Sequence, residues 1–456
     1  MPANGEIMKK RIISFFIALV MLASTAAIFA VPTAAYADPK VSGVDGALVY
    51  NFENKKTIYS FNADKKLYPT STVKIMVGIL AVEYMGKDLD KTVTITAEML
   101  RDVVGNNIDL MIGETVTYGD LIWTLLVNGA NDSAYVIAHV VGAMAKSGGK
   151  GDMPPLDNFI TLMNKRAREL GAYNTNYTNP TGMHDDNMYT TVADVAALAR
   201  HAYTMPLFME ASSSVKYTMP ATNMAKNGRN VYNRNCLLSV YYDKNYYDTQ
   251  AVGMNAGSTK QGGHSVVTTS SYNDLSYLVI AMGGQTVDGM IRSYVTATEL
   301  IDWAYEAYTY TDVLSPDKII CEIPVTLSTV TDFVNCVAVD TLNVYLPSDV
   351  DVETAITLSY VTYSESLQAP VTQGQVVGSV TAMYGDEILG TSDMVATVDI
   401  TRDELLHSFY KIEQFSKSRF FIATIISAVV FTAVYIFGTA FIRGRRMKNN
   451  GRRRRF

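Results

Sequence analysis

Ser71 and Lys74 stand three residues apart in Ser71-Thr72-Val73-Lys74, at the start of an apolar segment. A serine hydroxyl is a poor nucleophile until an adjacent base takes its proton. At i and i+3 on a helix, the two side chains share a face and can come within hydrogen-bond reach. A lysine amine becomes a base once burial or neighbouring positive charge lowers its pKa. The helix N-terminus beside Ser71 also favours a developing oxyanion. The chemistry expected is acyl transfer, with Ser71 as nucleophile and Lys74 as base. The spacing alone is weak, since Ser213-Ser-Val-Lys216 repeats it without a comparable setting.

The elements around Ser71 are legible from periodicity. Gly46 to Tyr50, a turn at Asn51 to Lys56, and Thr57 to Phe61 read as a hairpin. Pro69 and Thr70 introduce a helix with Ile75, Met76, Ile79, Leu80 and Val82 on one broad face. Thr117 and Asp120 form a helix N-cap pattern ahead of Leu121, Ile122, Leu125 and Leu126. A break at Asn128-Gly129 precedes another helix from near Asp132 to about Ala145, then a Lys/Gly loop to about Pro155. Further helices are expected from Asp157 to Gly171, over Val192 to Tyr203 and near Ile291 to Tyr308, with strands at Val266–Thr269 and Tyr277–Met282. That order implies a mixed sheet flanked by helices. From about Asp317, short Val/Thr/Tyr-rich runs separated by turn residues predict a separate all-β domain ending near residue 400.

The two ends address the chain to a membrane. Lys9, Lys10 and Arg11 precede an apolar run from Ile12 to Ala30, and Ala35-Tyr36-Ala37 fits a signal-peptide cleavage site. An uncleaved anchor is the alternative, because the run is long. Phe420 to Ile442 is a second apolar stretch of 23 residues without a charge, long enough to span a bilayer. Leu405, Leu406, Phe409, Ile412 and Phe415 recur ahead of it at helical spacing, as in an amphipathic stalk. The eight basic residues behind it place the C-terminus in the cytoplasm by the positive-inside rule. With that tail and the first 37 residues set aside, the formal charge of −6 becomes −16 over residues 38–442. An acidic ectodomain argues against nucleic acid as a partner. Three cysteines do not make a disulfide scaffold, although Cys321 and Cys336 could pair across a hairpin. Five scattered histidines give no metal-ligand spacing.

The setting of Ser71 resembles the serine D-Ala-D-Ala carboxypeptidases, the low-molecular-weight penicillin-binding proteins of peptidase family S11. In that family a Ser-x-x-Lys helix is followed by a Ser-x-Asn loop between two helices and by a Lys-Thr-Gly strand. Pro69 to Lys74 resembles the first element, and Leu125-Leu-Val-Asn-Gly-Ala-Asn-Asp-Ser-Ala134 the second. Met163 to Gly171, Asn179-Pro-Thr-Gly-Met183 and Tyr189 to Asp194 resemble its connecting segments. Asn233-Arg-Asn235 and Gly253-Met-Asn-Ala-Gly257 resemble the approach to the third element and its body, and Ala369 to Gly374 with Val377 to Val380 its β-rich C-terminal domain. Two elements are degenerate. Gly129-Ala130-Asn131 stands for Ser-x-Asn, and Asn255-Ala256-Gly257 for Lys-Thr-Gly. A rival register puts the third element at Lys260-Gln261-Gly262, where Lys260 could partly replace the missing charge.

The resemblance implies an α/β (α+β) β-lactamase/penicillin-binding-protein-like catalytic domain, here residues 38–312 after a signal at 1–37. A β-rich domain at 313–400, a stalk at 401–419, a transmembrane helix at 420–442 and a basic tail at 443–456 follow. It also implies a peptidoglycan stem peptide as substrate, β-lactams as acylating inhibitors, and no cofactor or metal. Gly129, Asn131, Asn255, Ala256 and Gly257 would contact the substrate, Asn131 at a peptide amide. The lost hydroxyls and lysine charge predict weakened activity. They also leave open a wall-binding or regulatory paralogue with little turnover. A β-lactamase fits membrane anchoring and the β domain less well.

Overall fold

The computed structural model of the protein describes residues 38–145 and 153–452. The signal-like segment, most of the Lys/Gly loop and residues 453–456 lie outside the described residues. The chain divides into two compact units that meet in sequence at Thr309 and Tyr310, with Pro347–Asp349 belonging to the first.

The first unit is built on a five-stranded antiparallel sheet. Its strands are β1 (Gly46–Asn51), β2 (Lys56–Phe61), β3 (Ala251–Thr259), β4 (Gly263–Tyr272) and β5 (Leu275–Gly284), in the order β2-β1-β5-β4-β3. β1 is buried throughout and pairs with β5 through Leu48↔Ile280. β4 and β5 turn at Asn273-Asp274, both at positive φ (49° and 60°), which is the conformation of a tight hairpin turn. β3 occupies one edge of the sheet and packs against the short turn Thr70–Thr72 that carries Ser71.

Among the described residues, seven longer helices belong to this unit: α1 (Val73–Met85), α2 (Tyr118–Asn128), α3 (Asn131–Met144), α4 (Pro155–Glu169), α5 (Val192–Tyr203), α6 (Pro206–Ser212) and α7 (Arg292–Ala307). α1 differs from its expected one-faced pattern. Val73, Ile75, Met76, Val77, Ile79, Leu80 and Ala81 are all buried, because α2, α3 and α5 surround it. A helix that is apolar all round belongs in a core. Thr117 caps α2 by accepting from the Asp120 amide at 3.0 Å, while Asp120 accepts from the Thr117 amide at 3.1 Å. α6 and the hairpin of Lys216–Met219 with Arg229–Tyr232 carry no strong periodic signal, and the sequence did not predict them. Ser213 and Lys216 straddle the end of α6 and the start of that hairpin, so the repeated spacing puts no serine beside a lysine on one helix.

The second unit holds a six-stranded sheet of Ile319–Thr326, Phe333–Ala338, Ile356–Thr362, Leu367–Gln368, Val376–Tyr384 and Glu387–Ala396. Its core includes Val325, Val334, Cys336, Val380 and Met394. Cys321 and Cys336 face each other across two strands as free thiols. After the sheet come α8 (Glu404–Lys417), with Leu405, Phe409, Ile412 and Phe415 exposed, and α9 (Arg419–Arg452). Within Arg419–Arg443 an 18-residue window reaches a mean hydropathy of 2.4 and is not buried within the protein, and the helix is long and apolar enough to cross a bilayer.

Candidate active site

Ser71 lies in a short 3₁₀ turn, Thr70–Thr72, that runs directly into α1. Thr70 holds a φ of +52°, a left-handed conformation that is uncommon for threonine and is stored where surrounding structure imposes it. Lys74 is buried on the first turn of α1, 3% exposed. Its Nζ donates to Ser71 Oγ at 3.4 Å and to the Thr181 carbonyl at 2.8 Å. Asn179 organises that carbonyl, since its Oδ1 accepts from the amides of Thr181 and Gly182 at 3.1 and 2.9 Å. Burial, and then the nearby Arg234 guanidinium, lower the Lys74 pKa to about 7. A neutral amine next to a serine hydroxyl is therefore accessible near neutral pH.

The pair opens into a cavity of about 490 Å³. Asn131 begins α3 on one wall. Its Nδ2 donates to the Val104 carbonyl at 2.6 Å, while its buried Oδ1 has no partner among the described residues. That oxygen is a ready acceptor for a ligand N–H. Gly129 caps the end of α2 at φ +69°, and a Cβ there would sit 3.8 Å from Lys74 Cδ. A serine would therefore fit the space beside the lysine but would strain the backbone.

β3 forms the opposite wall. Gly257 lies against Ser71, and a Cβ on it would come 2.2 Å from Ser71 Oγ, so only glycine lets the strand approach this closely. Gly257→Ala is accordingly expected to displace Ser71 and cut acylation by about 100-fold, the typical penalty for a misplaced reacting group. Unchanged acylation kinetics at an unchanged melting temperature would refute that close contact. Ala256 and Lys260 also line the cavity, Lys260 from the turn after β3. Asn255 does not line it, and its buried Oδ1 has no partner among the described residues.

Among the lining residues that the sequence did not single out, Arg234 and Asn106 shape the site most. Arg234 places a guanidinium in the cavity, 4.6 Å from the Tyr242 ring centroid, and donates to Asn106 Oδ1 at 3.2 Å. Asn106 ties the walls together. Its Nδ2 donates to the Asn128 and Gly129 carbonyls at 2.9 and 3.2 Å, and its carbonyl accepts from the Asn131 amide at 2.7 Å. The buried Asp132 carboxylate pins the same loop through the amides of Ile108 and Leu110 at 3.0 and 3.1 Å. The sequence pointed to Arg234 only through Asn233-Arg-Asn235, which resembles the family's approach to the third element. Cys236 also lines the cavity, and burial raises its thiol pKa, which disfavours the thiolate.

Comparison with known proteins decides the family. A family model described as D-alanyl-D-alanine carboxypeptidase, peptidase S11, matches residues 34–286. The chain belongs to the S11 D-alanyl-D-alanine carboxypeptidase family. A second model, for the C-terminal domain of penicillin-binding protein 5, matches residues 308–402. This S11 chain is 20% identical to D-alanyl-D-alanine carboxypeptidase DacF of Bacillus subtilis, over 87% of its length and 95% of the relative's. It is 26% identical to a Streptomyces D-alanyl-D-alanine carboxypeptidase, over 58% of this chain and 84% of that one. The solved structure of penicillin-binding protein 5 from Haemophilus influenzae superposes with a TM-score of 0.53 at 23% identity, covering 80% of this chain and 99% of that one. That likeness supports the fold: a penicillin-binding-protein catalytic domain followed by an all-β domain. An apolar helix fit for a membrane anchor follows the two.

Proposed function

We propose that this protein is a membrane-anchored D-alanyl-D-alanine carboxypeptidase acting on the stem peptide of peptidoglycan through a Ser71 acyl-enzyme. The observation that carries it is the buried Lys74 amine, 3.4 Å from Ser71 Oγ with a pKa of about 7, in a cavity that also holds Arg234. Neutral Lys74 takes the Ser71 proton as Oγ attacks the penultimate D-alanine carbonyl. The lysine then returns that proton to the nitrogen of the departing D-alanine, leaving an ester on Ser71. Water attacks the ester while Lys74 accepts its proton, and Ser71 Oγ recovers a proton as the shortened peptide leaves. Asn131 Oδ1 accepts from a substrate amide. Arg234 receives the terminal carboxylate, the role that Asn255 is too short and uncharged to fill. β-Lactams, which carry a similar carboxylate, acylate the same serine.

Activity is weak in this reading, because Gly129 and Asn255 withhold a relay hydroxyl and a cation from the site. Release of D-alanine from an acylated Lys-D-Ala-D-Ala peptide by the full-length protein in detergent tests the function directly. Gly129→Ser with Asn255→Lys is expected to raise that rate by roughly 10-fold or more, since one charged hydrogen bond contributes about 1.5–3 kcal/mol. A protein inert before and after that restoration would be a wall-binding or regulatory paralogue instead.

The ectodomain lies outside the membrane and the basic tail in the cytoplasm, supported by eight basic residues behind the apolar helix. Protease added to intact cells should digest residues 40–400 and spare the tail; a protected ectodomain would reverse the placement.

A further inference from the structure

The strand Ile319–Thr326 is an edge of the second unit's sheet over most of its length, because its outer partner Leu367–Gln368 pairs only with Val325 and Thr326. On its other side it is held by Phe333–Ala338, and that ladder shifts register between Ile319 and Cys321. An edge strand hung on one interrupted ladder is the part of a sheet most prone to open. A pair of thiols stands where a fastening would act.

Cys321 lies directly opposite Cys336 in that ladder. Opposite residues of an antiparallel pair hold their Cα atoms about 4.5–5.5 Å apart, inside the roughly 4.4–6.8 Å that disulfides span. Cys336 belongs to the core of the unit and Cys321 packs against it, so both side chains point to one face. The thiols lie within hydrogen-bonding reach of each other, and Cys336 Sγ also donates to the Val334 carbonyl at 3.7 Å. Burial raises both thiol pKa values, that of Cys336 to about 12. Cys336 is fully buried and Cys321 only half-buried. An outside reagent therefore meets Cys321 first, and Cys336 waits behind it. The shifted register at Cys321 gives the backbone the local freedom to bring the two sulfurs together.

We infer that Cys321 and Cys336 form a redox site, a dithiol that a small-molecule or protein disulfide oxidises to a cross-strand bond fastening this edge strand. Cys321 gives up its proton and attacks one sulfur of the oxidant's S–S bond, and half of the oxidant leaves as a thiol carrying a proton. Cys336 then gives up its proton and attacks the Cys321 sulfur of the mixed disulfide, releasing the other half as a second thiol. The two cysteines lose two electrons, the oxidant's disulfide gains them, and the two protons end on the released thiols. In the cell the reaction needs an oxidising compartment, which the proposed topology provides. The purified protein tests the site without that topology.

Full-length protein in detergent is incubated with oxidised glutathione, then denatured and labelled with a maleimide. The chain has three cysteines, so reduced protein is expected to take three labels and oxidised protein one, on Cys236. Mass analysis of the digest should show residues 321 and 336 in one linked pair of peptides. Amide hydrogen exchange along Ile319–Thr326 should slow by about 10-fold or more on oxidation, since the bond closes the hairpin covalently. Dithiothreitol should reverse both changes, a check that alters no residue. Cys321→Ser, at the half-buried position, should remove the linked pair and exchange alike in both media. Three labels after oxidation, a glutathione adduct on Cys321 that never resolves, or a linked pair that leaves exchange unchanged would overturn the site.

Discussion

Lys74→Met is expected to slow acylation of Ser71 by roughly 10²–10⁴-fold, the usual contribution of a positioned general base. Methionine keeps most of the buried volume, so the loss should appear in the acylation rate and not in folding. The unmodified protein supplies the matching pH profile. Because the lysine must be neutral to take a proton, and its pKa is lowered to about 7, acylation should rise about tenfold per pH unit below that value and level off above it. Stability carries the same signature. Between about pH 7 and the ordinary lysine value, the unfolded chain holds a proton that the folded chain has released, so stability rises with pH across that window. The Met variant should lack that rise, and its melting temperature should gain most on the unmodified protein below pH 7. A flat acylation profile between pH 5 and 9 would remove Lys74 from the base role.

The second large effect is at Arg234. Arg234→Gln is expected to lower kcat/KM for peptides with a free C-terminal carboxylate by roughly 10- to 150-fold, the equivalent of one charge-assisted hydrogen bond. It should also move the acid limb of the pH profile upward, since Arg234 is the second cause of the low Lys74 pKa after burial. A substrate with its terminal carboxylate amidated distinguishes the two roles. It should retain the pH shift and escape most of the loss in recognition. Equal losses on both substrates would mean that Arg234 acts through structure and not through the carboxylate.

How far the sequence exposed this site depended on whether each residue's partner lay close in the chain. Ser71 and Lys74 are neighbours on one helical turn, so their relation was written locally, and α5 and the capping box of α2 were equally local. The charge supplied by Arg234 was not legible, because a residue 160 positions after Lys74 reaches it only once the Arg229–Tyr232 hairpin and the 105–110 loop are assembled. Asn106 was hidden for the same reason, since its partners Asn128, Gly129 and Arg234 lie on separate elements. The apolar spacing of α1 was read as one face, whereas helices on several sides bury it all round, which periodicity cannot tell from a single stripe. Gly257 shows the converse. Its motif position was visible as a substrate contact, whereas the close approach of β3 to Ser71 Oγ, which also demands glycine, came from the structure.

The most direct test of the serine acyl-enzyme is covalent labelling of the full-length protein by a fluorescent penicillin, read by mass on the peptide that contains Ser71. The account predicts a slow, one-to-one adduct on Ser71 that forms faster as pH rises through about 7 and is absent from Ser71→Ala. An adduct on any other residue, or no adduct after prolonged exposure at pH 9, would contradict it.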